Sequence, residues 1–197
     1  MIKKITIAIV MALLCLNFMA LIPLNAQSTA TNITIIPFRM GDKLPDSFWE
    51  KEHLIYEKGV TKKQQLAAYR NKLLILDFWA SWCGSCLKKF PLADSLQKAY
   101  GDQIAIVLVN AGNTRDTKEK IIPVIQRYKL PLPTIYLDST LTKQFPHAVI
   151  PHYIWIEQGQ YRAATGTEFF TSEGLAASAD RRKYINKLLK KLNEKLK

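Results

Sequence analysis

Two cysteines separated by two residues carry the reactive chemistry of this chain. Cys83 and Cys86 enclose the pair Gly84-Ser85 and directly follow the apolar run Leu73–Trp79. Thiols at this spacing can close a small disulfide ring, and a cysteine at a helix N-terminus gains thiolate character from the backbone N–H groups. Cys83 is then the nucleophile, and Cys86 resolves the mixed disulfide that Cys83 forms. The pattern predicts thiol–disulfide exchange.

A zinc site is the alternative interpretation of the same pair, because CxxC pairs also bind metals. A structural zinc needs four ligands, and the sequence contains neither a second CxxC nor an HxxxH pair. The third cysteine, Cys15, lies in a segment that we expect to be removed. A CxxC pair beside a βαβ pattern favours redox exchange, so we predict no metal at this site.

Asp77 interrupts the apolar run that precedes the cysteines. A carboxylate near the end of a buried strand loses solvation, and this raises its pKa toward neutral. Asp77 can then act as a general base and accept the proton of Cys86 when that sulfur attacks the mixed disulfide. The alternative is an aspartate with satisfied hydrogen bonds and no catalytic part.

The N-terminal segment has the order of a secretory signal peptide. Two lysines precede an apolar stretch over residues 5–22, and Pro23 with small or polar residues follows. We expect residues 1–26 to be removed by cleavage near Ala26 or Ala30; the alternative is a retained membrane anchor. The chain is thus predicted to be exported, either periplasmic or membrane-anchored, into a compartment where disulfides persist.

The net charge of +12 is concentrated at the C-terminus, where residues 181–197 hold eight basic side chains against Glu194. Leucine and isoleucine recur there at helical spacing, so residues 180–197 are predicted to form an amphipathic helix. We expect its apolar stripe to pack on the sheet; contact with an anionic membrane is the alternative. Nucleic acid is not expected as a partner of an exported redox domain.

The remaining pattern predicts one α/β domain over residues 27–197, with a mixed central β-sheet flanked by helices. With so few cysteines, the core must come from apolar burial. The predicted strands and helices are, in order, a helical or loop segment over 47–70, strand 73–79, helix 83–100, strand 104–110, helix 114–128, strand 133–138 and a hairpin over 153–165.

The run Asp77-Phe78-Trp79-Ala80-Ser81-Trp82-Cys83-Gly84-Ser85-Cys86 resembles the thioredoxin active-site segment almost residue for residue. The exported context, the turn-rich segment 41–46 and the insertion after Asn110 are similar to the TlpA/ResA-like branch of the thioredoxin superfamily. The resemblance covers residues 40–170, approximately. It implies a thioredoxin-like fold, a thiol–disulfide oxidoreductase acting on protein thiols and disulfides, no cofactor beyond the Cys83–Cys86 disulfide, and a membrane thiol reductant as electron donor.

The resemblance also extends to Val149-Ile150-Pro151, which matches the cis-proline loop that thioredoxins place opposite the CxxC pair. A cis X–Pro bond is only mildly disfavoured. By resemblance, Ile150 would pair its backbone with a client strand, beside Pro151. We expect Trp82 to shape the surface around Cys83 and Trp79 to pack in the core.

Two departures from the family pattern bear on the direction of electron transfer. Ser85 stands where thioredoxins usually have proline, which allows a more oxidising potential. No carboxylate lies between the cysteines, unlike many reductants of the ResA kind, and this weakens the inference of cytochrome c maturation. The alternatives are a copper-handling module that uses His147 and His152, and a disulfide oxidant or isomerase.

Overall fold

The computed structural model describes residues 35–178 together with Asp180, Arg181 and Glu194. The predicted signal segment, residues 1–26, lies outside the described residues, and so does nearly all of the predicted C-terminal helix, residues 180–197. Both assignments, and the start of the domain at residue 27, remain predictions. No helix in the described part of the chain is both long and apolar enough to cross a membrane.

The strands, in chain order, are β1 (Glu52–Glu57), β2 (Val60–Gln65), β3 (Leu73–Trp79), β4 (Ile104–Ala111), β5 (Thr134–Asp138), β6 (His152–Glu157) and β7 (Gln160–Thr165). The helices are α1 (Asp46–Glu50), α2 (Gly84–Tyr100), α3 (Lys118–Arg127) and α4 (Thr140–Gln144), with a 3₁₀ turn at Leu66–Tyr69. Residues 172–178 are also helical.

The strands form one seven-stranded sheet in the order β2-β1-β5-β4-β3-β6-β7. The central strands β3, β4 and β5 run parallel, and the flanking strands pair antiparallel. Every residue of β3 and β4 is buried, as expected for strands that are covered on both faces. The predicted α/β fold with a mixed central sheet is confirmed.

Alternate residues of β3 face opposite sides of the sheet, because side chains in a strand alternate. Ile75 and Trp79 belong to the apolar cluster that contains Cys86 and Phe90 of α2. Leu74, Leu76 and Phe78 belong to the cluster on the other face. Asp77 lies between Ile75 and Trp79 in this alternation, so its carboxylate faces the side of the sheet on which Cys86 lies.

The prediction for residues 47–70 is wrong, because α1 is followed there by the antiparallel hairpin β1–β2. In β1 the polar His53 is buried whereas the apolar Leu54 is 47% exposed, so the alternation is the reverse of what a sequence pattern would show. Strand β2 is polar and at the edge of the sheet, where little apolar burial is needed. Lys58 and Gly59 make the turn with positive φ values of 50° and 86°.

The other predicted elements between residues 73 and 165 are confirmed, with small shifts at their ends. Strand β3 has the predicted bounds, and α2 begins one residue later than predicted because Cys83 is its N-cap. Helix α3 is shorter than predicted and contains Pro123. The predicted hairpin is β6–β7, and its turn residues Gln158 and Gly159 have φ values of 52° and 75°.

Candidate redox site

Cys83 and Cys86 form a disulfide at the N-terminus of α2, with their Cα atoms 5.3 Å apart. Cys83 caps the helix, and its Sγ accepts a hydrogen bond of 3.2 Å from the backbone N–H of Cys86. The hydroxyl of Ser85 lies 3.5 Å from the same sulfur. A sulfur in this position receives the positive end of the helix dipole, which favours thiolate over thiol.

The two sulfurs differ in access. Cys83 retains 5% of its surface whereas Cys86 retains none. The neighbouring Trp82 is 66% exposed, and its Nε1–H donates to the carbonyl oxygen of Thr114 at 3.0 Å. A bulky client disulfide can therefore approach Cys83 and not Cys86, which is the order that the sequence predicts.

Asp77 is 1% exposed, and among the described residues neither of its carboxylate oxygens has a hydrogen-bond partner. Burial raises the pKa of Asp77 well above its ordinary range, because a charged carboxylate is disfavoured away from water. The aspartate with satisfied hydrogen bonds, which was the alternative, is not what the structure contains. A carboxyl group that holds its proton more tightly than usual is a suitable proton acceptor for a thiol.

The Ile150–Pro151 peptide bond is cis, as the sequence predicts. Ile150 packs against both apolar clusters, whereas Val149 is 72% exposed. The loop forms one wall of a cavity of about 150 Å³; its lining residues are Trp82, Asn113, Thr114, His147, Ala148, Val149 and Ile150. This cavity therefore joins the proline loop to Trp82, next to Cys83.

Trp79 is completely buried and meets Phe90 edge to face, with ring centroids 5.1 Å apart. Its predicted role in the core is confirmed.

His147 and His152 stack on each other beneath the proline loop, with ring centroids 4.8 Å apart and planes 13° from parallel. Burial and the neighbouring His147 lower the pKa of His152 to about 4. Burial also lowers the pKa of His147, although the hydrogen bond between its Nδ1 and the Phe145 carbonyl oxygen raises that pKa in part. Within the described residues, no group of three or more His, Cys, Asp or Glu side chains is arranged to hold a metal ion.

A hydrogen-bonded group beside the CxxC pair was not predicted from the sequence. Asp116, in the loop after β4, accepts hydrogen bonds from Ser81 and from Asn110. The sequence signal is weak, because a lone aspartate in a loop and a serine before a CxxC pair have no diagnostic spacing.

Comparisons with known proteins agree with this fold and site. Residues 56–137 match the thioredoxin family model. The chain is 31% identical over 74 residues to thioredoxin-like protein YneN of Bacillus subtilis, which covers 38% of this chain and 44% of the relative. It is 34% identical over 90 residues to sporulation thiol-disulfide oxidoreductase A of the same organism, covering 44% and 54% of the two chains. The chain thus spans about half the length of these curated relatives.

Two solved structures have the same fold. The thioredoxin domain of a thiol-disulfide oxidoreductase from Bacteroides vulgatus superposes with a TM-score of 0.57 at 18% identity, over 74% of this chain and 99% of that one. A thiol:disulfide interchange protein from Bacteroides sp. gives 0.55 at 18% identity, over 74% and 91%. Residues 56–137 thus match thioredoxin, and the fold is that of these two structures, so the resemblance predicted from the active-site segment is confirmed.

Proposed function

We propose that this chain is a thiol–disulfide oxidoreductase that reduces protein disulfides outside the cytoplasm through a Cys83–Cys86 dithiol/disulfide cycle. The observation that carries the proposal is the disulfide at the N-terminus of α2, where Cys83 caps the helix and Cys86 is enclosed. The relatives described as thiol–disulfide oxidoreductases support the same chemistry. The cycle needs no cofactor beyond this pair of sulfurs.

In the first step, the Cys83 thiolate attacks one sulfur of a client disulfide. A bond forms between Cys83 Sγ and that sulfur, the client S–S bond breaks, and the second client sulfur leaves as a thiolate. The helix N-terminus and the Ser85 hydroxyl, 3.5 Å from Cys83 Sγ, support the charged nucleophile. Cys83 is the attacking group because it alone of the pair reaches the surface.

In the second step, Cys86 gives its proton to the Asp77 carboxylate and attacks Cys83 Sγ. The mixed disulfide breaks, the Cys83–Cys86 bond forms, and the first client sulfur leaves as a thiolate that takes a proton. The client has gained the two electrons that the enzyme pair has lost. Both client thiolates take protons from solvent, which received one proton when the Cys83 thiolate formed and receives the Cys86 proton back from Asp77. The raised pKa of Asp77 supports this role, because a base is most effective when its pKa is close to the working pH.

The client segment next to the attacked disulfide is proposed to lie across Trp82, Ile150 and Pro151. Exposed apolar side chains at Trp82 and Val149 border the cavity beside Cys83. An extended peptide there can pair with the backbone of Ile150 and rest its side chains on this surface. Clients are therefore proposed to be protein segments, in preference to small hydrophilic disulfides.

The proposed location is based on the sequence of the N-terminal segment, and the proposed electron donor is based on the family resemblance. A charged, apolar and then polar segment supports export to the periplasm or retention on its membrane. A reductase in an oxidising compartment needs electrons from elsewhere, so a membrane thiol reductant would regenerate the dithiol. The basic residues after position 180 suit an anionic membrane surface.

Insulin reduction with dithiothreitol as electron source tests the activity. The wild-type chain is expected to accelerate precipitation of the insulin B chain, and Cys83→Ser and Cys86→Ser are expected to abolish the acceleration. In the uncleaved full-length chain, which retains Cys15, Cys15→Ser is the matched control, because it removes the cysteine outside the pair and is expected to retain the rate. Acceleration that persists in Cys83→Ser would contradict the proposal. Equilibration of the pair with glutathione then separates a reductase from an oxidant.

A further inference from the structure

The loop that connects β4 to α3 forms hydrogen bonds with the segment just before the two cysteines. We define the clamp loop as residues 112–117 and the active-site loop as residues 80–83. Asp116 of the clamp loop accepts a hydrogen bond from the Ser81 backbone N–H at 2.8 Å. The Ser81 hydroxyl donates to the other oxygen of the same carboxylate. Ser81, which lies two residues before Cys83, thus donates two hydrogen bonds to Asp116.

Asn110 extends this connection into the sheet. Its side-chain amide is completely buried and donates to Asp116 at 2.7 Å and to the Trp79 carbonyl at 3.4 Å. The side-chain Oδ1 of Asn110 accepts from the Leu137 backbone N–H at 3.4 Å. Asp116 is therefore connected through Asn110 to the ends of three parallel strands.

The environment of Asp116 is unusual for a carboxylate. It is 8% exposed, and among the described residues no Lys or Arg forms an ion pair with it. Three hydrogen bonds therefore compensate its loss of hydration. The preceding residue, Arg115, has a φ of 60°, a left-handed backbone conformation that residues other than glycine rarely adopt. Backbone strain of this kind persists where the surrounding contacts demand it.

We propose that Asp116 is a positioning residue for the CxxC pair: its hydrogen bonds to Ser81 and Asn110 hold the active-site loop so that Cys83 is pre-arranged to bond with Cys86. This inference rests on the proposed redox function. In the dithiol form no covalent bond restrains Cys83, so the hydrogen bonds at Ser81 limit the freedom of the loop. Closing the disulfide from a restrained dithiol loses less conformational entropy. Asp116 therefore favours the disulfide over the dithiol.

The measurement is the equilibrium constant between the full-length protein and glutathione, read from the oxidised fraction after acid quenching and alkylation. Asp116→Ala is expected to shift the equilibrium toward the dithiol by about threefold or more, since a net hydrogen bond corresponds to a factor of roughly two to ten. Asp116→Asn is expected to remain close to wild type. Its amide oxygen can accept from Ser81 N–H and Asn110, and its amide nitrogen can donate to the Ser81 hydroxyl.

Asp138→Ala is the matched control. Asp138 is also 8% exposed, and its carboxylate accepts from the Leu141 backbone N–H and lies 3.4 Å from His53. Its backbone carbonyl accepts from Gly112 of the clamp loop at 2.8 Å, a hydrogen bond that the substitution to alanine leaves in place. Its loss is expected to lower the free energy of unfolding without changing the equilibrium with glutathione. A role of Asp116 in stability alone would make Asp116→Ala behave like this control.

Ser81→Ala supplies a second variant that decides the matter if Asp116→Ala does not fold. It removes the hydroxyl bond alone and is expected to shift the equilibrium in the same direction by a smaller factor. A folded Asp116→Ala with the wild-type constant overturns the inference, and so does a wild-type constant in Ser81→Ala when Asp116→Ala is unfolded. A wild-type protein that does not exchange with glutathione would instead refute the proposed function itself.

Discussion

Asp77 and Tyr153 lie directly opposite each other on the antiparallel strands β3 and β6. Both side chains are buried, and among the described residues neither the carboxylate oxygens nor the tyrosine hydroxyl has a hydrogen-bond partner. Burial and the charge of Asp77 raise the pKa of Tyr153. Phe170 stacks on the ring of Tyr153, with the two ring centroids 4.2 Å apart. The result is an apolar enclosure in which Asp77 can ionise only at a cost in free energy.

Asp77→Asn is expected to stabilise the fold in a pH-dependent manner. The pKa of Asp77 is raised in the folded state, so above the unfolded value the folded chain binds more protons than the unfolded one. Wild-type stability therefore falls as pH rises from the ordinary value of 3.8 through the folded pKa. The asparagine variant lacks this loss. Urea unfolding at several pH values measures it; parallel curves for the two proteins would contradict the prediction.

The same substitution is expected to slow the resolving step. Without Asp77 as base, Cys86 must lose its proton to solvent, and general bases contribute about a hundredfold or more. The difference should narrow at high pH, where Cys86 ionises unaided. Single-turnover release of a client from the mixed disulfide, followed by quenched flow, provides the rate. If Asp77→Asn resolves the mixed disulfide at the wild-type rate near neutral pH, then Asp77 has a structural role alone.

Tyr153→Phe is a control for the effects of Asp77. The substitution removes a buried hydroxyl that has no hydrogen-bond partner among the described residues and preserves the ring stacked on Phe170. Removing such a hydroxyl is expected to be neutral or stabilising, with no change in the resolving rate. Thermal unfolding and the single-turnover assay test this together. A rate loss as large as that of Asp77→Asn would instead assign the tyrosine a part in proton transfer.

Reduced protein is expected to react with iodoacetamide at Cys83 before Cys86. Cys83 retains 5% exposure and caps α2, whereas Cys86 is fully enclosed. Both cysteines lie in the tryptic peptide over residues 73–88, so fragment masses from tandem mass spectrometry distinguish the sites after brief labelling at about pH 6, where an ordinary thiol is largely protonated. Cys86→Ser should accumulate mixed disulfides with clients, and Cys83→Ser should not. Equal labelling of both cysteines would contradict the assignment.

Val149→Asp is expected to weaken the reaction with protein clients. The side chain is 72% exposed and borders the cavity beside Trp82, so a charge there disfavours apolar client segments. KM for insulin should rise severalfold, roughly the effect of 1 kcal/mol of lost apolar contact, while the rate with oxidised glutathione stays near wild type. Met40→Asp, at an apolar position that is 67% exposed outside this cavity, is the control. Equal KM values for the two variants would argue against a client surface here.

Acid is expected to destabilise the fold through the stacked histidines. The pKa of His152 falls from its ordinary 6.5 to about 4 in the folded chain, so between these values the unfolded state binds more protons. Stability contributed by neutral His152 is present above pH 6.5 and is lost as pH falls toward 4. His152→Gln should make this decline shallower in denaturant unfolding. An unchanged slope would mean that other groups cause the acid sensitivity.

The sequence by itself determined the elements whose residues carry a local or periodic signal. The apolar run of β3 marks a strand buried on both faces, because no polar face had to be provided for water. The CxxC spacing and the following helix defined the redox pair, and the turn at Gln158-Gly159 marked the β6–β7 hairpin. In each case the physical cause of the element lies within a few residues of the pattern. The element can therefore be predicted from the sequence without knowledge of its neighbours in the folded structure.

The tertiary structure alone decided the features that depend on partners distant in the chain. The sequence does not predict the β1–β2 hairpin, because the face of β1 that is buried depends on its pairing with β5 and on the rest of the core. As a result His53 is buried and Leu54 is exposed. The bonds of Asp116 to Ser81 join residues 35 positions apart. No spacing rule relates them, because the contact exists only when the parallel pairing of β3 and β4 brings the two loops to the same end of the sheet.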